Sequence, residues 1–79
     1  MACVYILRGS LGRFYIGSTV DLTKRLAQHE RGHTATTKRL GKLTLIAHRE
    51  YSTLAEARFV ERILKAKKNP RLAIHHLAG

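Results

Sequence analysis

Cys3-Val4-Tyr5-Ile6-Leu7 and Phe14-Tyr15-Ile16-Gly17-Ser18 decide the fold. Each run reads as a half-buried β-strand with a tyrosine set between aliphatic neighbours. One phenol therefore points away from Val4 and Ile6, the other away from Phe14 and Ile16. The connector Arg8-Gly9-Ser10-Leu11-Gly12-Arg13 carries two glycines and a serine, enough for a tight hairpin. With the loop centred near Ser10, Tyr5 and Tyr15 stand side by side across the pair on one face. Two phenols on one wall form the first piece of a site. They are equally ordinary amphipathic strand residues, a common place for tyrosine.

Downstream of the hairpin, Asp21 is an N-cap and Leu22 to Arg31 read as a helix that Gly32 ends. Leu22, Leu26 and His29 share one stripe, with Arg25 on its edge and one turn from His29. His33-Thr34-Ala35-Thr36-Thr37-Lys38-Arg39 has no periodicity and reads as a basic, hydroxyl-rich loop closed by Gly41. Its side chains suit phosphate oxygens as well as they suit a solvated connector. Leu43 to Tyr51 form a third strand with Leu43, Leu45, Ala47 and Arg49 on one face. Tyr51 is read as packing.

Thr53-Leu54-Ala55-Glu56 fits a capping box. The helix it opens runs to about Lys67 with an apolar stripe of Leu54, Ala57, Val60 and Leu64. Phe59 and Ile63 make a second strip, to be covered by the end of the chain. Asn69-Pro70 then opens a last helix, Arg71 to Leu77, in which Leu72, Ile74 and Leu77 pack. His75 and His76 are adjacent, so they diverge and form no metal pair.

A chain of 79 residues is expected to form a single domain, residues 1–79, with a modest core. The lone cysteine, Cys3, allows no intramolecular disulfide and reads as a small core residue. Lys and Arg number 15 against 5 acids, a net charge of +10. Such an excess in a folded domain points to a polyanionic partner, most often nucleic acid. No apolar run approaches a membrane span, and the first residues lack a basic n-region. The expected setting is cytoplasmic and reducing, with no membrane partner.

The acids can be assigned one by one. Asp21 and Glu56 cap helices, and Glu30 and Glu50 sit among basic residues. Glu61 alone has no local explanation: it lies within an apolar stripe, four residues before Lys65. Acids on apolar faces are costly unless paired or bound. One carboxylate suffices for magnesium, which keeps waters and takes substrate phosphate oxygens as further ligands.

The order of these residues resembles the GIY-YIG nuclease superfamily, in particular its small stand-alone bacterial members. The resemblance rests on Val4-Tyr5-Ile6-Leu7, Phe14-Tyr15-Ile16-Gly17-Ser18-Thr19, Asp21-Leu22 with Arg25-Leu26 and His29, and Glu56-Ala57 with Glu61 and Leu64-Lys65. It implies a small α/β (α+β) domain, a three-stranded antiparallel sheet flanked by helices. It also implies hydrolysis of DNA phosphodiester bonds with one divalent metal ion, Mg2+ or Mn2+. By the same resemblance Tyr5, Tyr15, Arg25, His29 and Glu61 are catalytic, Glu61 is the metal ligand, and Gly17 is the structural glycine of the second motif. Lys24, Lys38, Arg39 and Lys65 are the candidate nucleic-acid contacts. The first motif departs mildly, reading Cys3-Val4-Tyr5 where the family has Gly-Ile-Tyr. Thr36-Thr37-Lys38-Arg39 stands where stand-alone relatives often read Lys-Tyr-Thr-Arg. Asn69 is a candidate for the asparagine found after the glutamate helix in many members, although its capping role already accounts for it.

The expected function is a metal-dependent endonuclease directed by the structure of its DNA, branched DNA included, in repair or recombination. RNA stays open as a substrate, and a protein partner could supply specificity. Two alternatives remain: a nucleic-acid-binding module with little activity of its own, and a basic structural protein of the ribosome-associated kind. The second explains the charge but not the placement of Tyr5, Tyr15, Arg25 and Glu61.

Overall fold

The computed structural model describes residues 1–30, 41–67 and 69–78. The basic loop at 33–39, with Lys38 and Arg39, and the helix end at Arg31 and Gly32 lie outside the described residues. Three strands, β1 (Ala2–Gly9), β2 (Phe14–Thr19) and β3 (Leu43–Tyr51), form one antiparallel sheet in the order β2-β1-β3. Among the described residues three helices accompany it: α1 (Leu22–Glu30), α2 (Leu54–Lys67) and α3 (Pro70–Ala78).

β1 is central, and every residue from Ala2 to Leu7 is buried. The half-buried expectation fails for this strand because both faces are covered. On one face Ala2, Val4 and Ile6 meet Ala47 of β3, Ala57 and Leu64 of α2, and Ala73 and Leu77 of α3. On the other, Cys3, Tyr5 and Leu7 meet Tyr15, Leu43, and Leu22 and Leu26 of α1. Small side chains at Ala47, Ala57 and Ala73 let the two C-terminal helices approach the sheet closely. Cys3 is a buried free thiol, and burial pushes its pKa up, as suits a small core residue.

The helix starts follow the expected caps. Asp21 Oδ1 accepts from the Lys24 amide at 3.0 Å, and Thr53 Oγ1 from the Glu56 amide at 3.1 Å. Asn69 Oδ1 accepts from the amides of Arg71 and Leu72 at 3.1 and 3.3 Å. Each satisfies a donor that the first helical turn leaves open.

Four expectations need correction. The hairpin pairs Tyr5 with Gly17 and Leu7 with Tyr15, so it centres on Leu11 rather than Ser10. Gly12, at φ 87°, supplies the left-handed turn residue. β3 does not present one continuous face: the register shifts between Ile6, paired with Ala47, and Leu7, paired with Leu45. Ile46 is the extra residue of a β-bulge, which sends Leu43 and Leu45 toward α1 and Ala47 and Arg49 toward α3. Phe59 is not covered by the end of the chain and stays 60% exposed. In α3, Leu72 is exposed as well, and Ala73 takes the core position beside Leu77, with Ile74 partly buried.

Among the described residues, no helix is long and apolar enough to cross a membrane.

Candidate functional site

The edge strand β2 has one face toward α1 and the other toward α2, and the site wraps around it. Alternation puts Tyr15 and Gly17 on the α1 side, and Ile16 and Ser18 on the α2 side.

On the α1 side the two tyrosines are diagonal neighbours, not direct partners. Their ring centroids are 6.1 Å apart with the planes tilted by 46°. Directly opposite Tyr5 stands Gly17, and a Cβ there would lie 2.6 Å from Tyr5 Oη and 2.9 Å from Tyr15 Cε1. Glycine at this position is therefore what lets the Tyr5 phenol lie flat across β2. His29 closes the group from α1. Its ring meets Tyr15 edge-on at 5.4 Å and Tyr5 at 6.2 Å, and its Nε2 is 3.3 Å from Tyr5 Oη. Tyr5 and His29 are 1% and 3% exposed, so this contact is screened from water.

The electrostatics follow from that burial. Desolvation pushes the Tyr5 pKa far above the ordinary phenol value; the neighbouring Tyr15 adds to the rise, while Arg25 opposes it. Desolvation also lowers the His29 pKa, and the Arg25 charge lowers it further. The pair thus rests as a protonated phenol beside a neutral imidazole. Arg25, partly buried on the edge of the α1 stripe, acts electrostatically on both.

On the α2 side stands Glu61. Its apparent isolation does not survive folding, because one partner comes from the next turn of its own helix and a second from β2. Ser18 Oγ donates to Glu61 Oε1 at 2.5 Å, and Lys65 Nζ lies 2.7 Å from Oε2. Lys65 Nζ also lies 5.8 Å from the centroid of Tyr15. The ammonium therefore spans from the carboxylate on one side of β2 to the phenol on the other.

Five of the expected residues thus come together: Tyr5, Tyr15, Arg25 and His29 on the α1 side, and Glu61 across the edge. Lys65 joins them, first as the partner of Glu61. Lys24 is exposed on α1 and shares no recorded contact with the group; Lys38 and Arg39 are outside the described residues. Asn69 is occupied as the α3 cap. Ser18 is the residue that sequence reasoning missed. Its signal was the strand alternation, which turns it to the same side as Ile16, where the helix bearing Glu61 packs.

Among the described residues, no group of three or more His, Cys, Asp or Glu side chains could hold a metal ion. Glu61 still fits a hard divalent cation of the magnesium kind. It offers oxygen donors only, one of them already holds a cationic group, and such an ion takes its remaining ligands from water and phosphate.

Comparison with known proteins gives two kinds of match. A UPF0213 protein of Yersinia pestis (strain Pestoides F) is 46% identical over 48 residues, covering 60% of this chain and 50% of its own length. A UPF0213 protein of Yersinia pseudotuberculosis serotype O:1b (strain IP 31758) matches to the same extent. The chain spans about half the length of these curated relatives. No solved structure matches it. The GIY-YIG catalytic domain matches residues 1–73, a stretch that holds both tyrosine strands, α1 and the whole of α2, and the chain therefore belongs to the GIY-YIG family of nucleases.

Proposed function

We propose that residues 1–79 act as a single-domain, metal-dependent DNA endonuclease that hydrolyses phosphodiester bonds and selects its substrate by DNA structure. The observation that carries this reading is the convergence at the β2 edge: a buried Tyr5–His29 pair on one side, Glu61 on the other, and Lys65 reaching across. A plain core would bury apolar side chains there; a phosphate-processing site needs these groups within reach of one oxyanion.

Each side chain then has a task that its surroundings support. Glu61, with one oxygen fixed by Ser18, would hold Mg2+ or Mn2+ through the other. Such an ion, when bound, neutralises phosphoryl charge and stabilises the leaving oxygen. Arg25 holds the scissile phosphate and the charge that develops on it. Tyr15 hydrogen-bonds the phosphate or a water from the wall opposite Leu7. Tyr5 orients the attacking water. Since burial raises the phenol's pKa and lowers that of His29, both shifts oppose proton transfer between them, and Tyr5 serves as a base only where Arg25 or the bound cation stabilises its phenolate, with His29 Nε2, 3.3 Å away, fixing the hydroxyl's direction. The +10 charge draws the polyanion to the site, with Lys24, Lys38, Arg39 and Lys65 as backbone contacts.

The test is cleavage of a labelled panel, namely duplex, single strand, nick, flap and four-way junction, with Mg2+ or Mn2+ and a chelator control. Wild type should give metal-dependent products and Glu61→Ala none, with the far-UV circular dichroism of the two proteins unchanged. A fully active Glu61→Ala protein refutes the role of Glu61. Salt-sensitive binding without products in wild type favours the alternative, a binding module or a subunit awaiting its partner.

A further inference from the structure

Among the described residues, Lys65 is the side chain that reaches both halves of the site. It is 51% exposed and has a long, flexible stem, yet it folds back over the edge strand rather than into solvent. There its ammonium has a carboxylate oxygen at 2.7 Å and the Tyr15 ring at 5.8 Å. Carboxylate and π-face together make a cation position. The other oxygen of Glu61 is already engaged by Ser18. A divalent cation approaching Glu61 Oε2 must therefore displace the ammonium or meet a like charge at close range.

We propose that Lys65 is a placeholder for the metal position and couples metal loading to nucleic-acid binding. This rests on the reading of Glu61 as the metal ligand. In the isolated chain the ammonium closes Glu61 Oε2. When a cation and a phosphate arrive together, the cation takes the oxygen and the ammonium moves to a phosphate oxygen, where a charge-assisted hydrogen bond replaces the one it gave up. The ion pair it leaves is partly exposed, so releasing it costs little. Metal and nucleic acid then tighten each other's binding, by the same factor in both directions. Without a phosphate to receive Lys65, the site holds metal poorly.

The experiment measures Mn2+ binding to the full chain by the electron paramagnetic resonance signal of the free ion, without nucleic acid and then with a short phosphorothioate duplex. Wild type, Lys65→Met, Lys65→Arg and Glu61→Gln proteins are compared. Removing a charge this close to the ion should tighten Mn2+ binding to Lys65→Met on the order of tenfold at low salt. Lys65→Arg, which keeps the charge, should remain near wild type. The duplex should raise Mn2+ affinity in wild type and clearly less in Lys65→Met. Equal or weaker Mn2+ binding by Lys65→Met, with Glu61→Gln still abolishing binding in wild type, overturns the placeholder role and leaves the metal ligand standing. Absence of any Glu61-dependent Mn2+ binding in all the proteins overturns the ligand reading and the placeholder with it.

Discussion

Gly17→Ala tests the central geometry with the smallest change available. The added methyl would stand 2.6 Å from Tyr5 Oη, 2.7 Å from Tyr5 Cζ and 2.9 Å from Tyr15 Cε1, where ordinary contact begins at 3.4 Å. Tyr15 has room to yield because it lies on the edge strand. Tyr5 has none: it is 1% exposed and wedged between Tyr15 and His29. Something must move by most of an ångström in a packed core, and overpacking of that kind costs about 1–3 kcal/mol. The loss of glycine's unfolded-state freedom offsets some of this, by about 0.4–1 kcal/mol. Taken at mid-range, the two leave a net destabilisation of about 1.3 kcal/mol, which in a domain of this size lowers Tm by about 5–10 °C. Urea and thermal unfolding followed by circular dichroism measure it. In a Tyr5→Leu background both close contacts with the phenol are gone, so the same substitution should cost less, with the difference appearing as a coupling energy between the two sites. A Gly17→Ala protein as stable as wild type would refute the argument that this glycine exists to admit the phenol.

Three further outcomes follow from the site. The folded-state pKa of His29 lies below its ordinary 6.5, so its contribution to stability is complete above that pH and is lost as pH falls through the folded value; Tm should drop on acidification from pH 7, and less so in His29→Gln. The folded-state pKa of Tyr5 lies far above its ordinary 10.0, so its contribution is complete below pH 10 and is lost as pH rises beyond it; an ultraviolet titration should show a tyrosine that ionises only on alkaline unfolding, absent in Tyr5→Phe. Asn69→Ala should cost about 1 kcal/mol through loss of the α3 cap, and at a temperature where the protein stays folded cleavage should persist, which separates capping from chemistry.

What could be read in the chain, and what could not, divides by the range of the forces involved. The limits of β3 and the caps of the three described helices follow from residues within a few positions of one another, and they appear as expected. Register is different. The alternation of Val4-Tyr5-Ile6 says which way each side chain points but not which residue it faces, and the hairpin loop decides that. A shift of one pairing step turned an expected Tyr5–Tyr15 pair into Tyr5–Gly17 and Leu7–Tyr15. That correction also supplies the reason for Gly17, which alternation alone could not. In β3 the two-residue spacing of Leu43, Leu45 and Ala47 invited a single face, yet the Ile46 bulge serves two layers with one strand: α1 at its start and α3 at its end. Glu61 is the sharpest case. Its oddity was visible because a carboxylate in an apolar stripe breaks a local rule, but only half of its resolution is local: Lys65, one turn on, meets one oxygen, and Ser18, 43 residues away on a strand whose orientation depends on that same hairpin register, meets the other. The anomaly was local and its explanation part local, part tertiary, which is the pattern expected where a sequence departs from plain packing for the sake of chemistry.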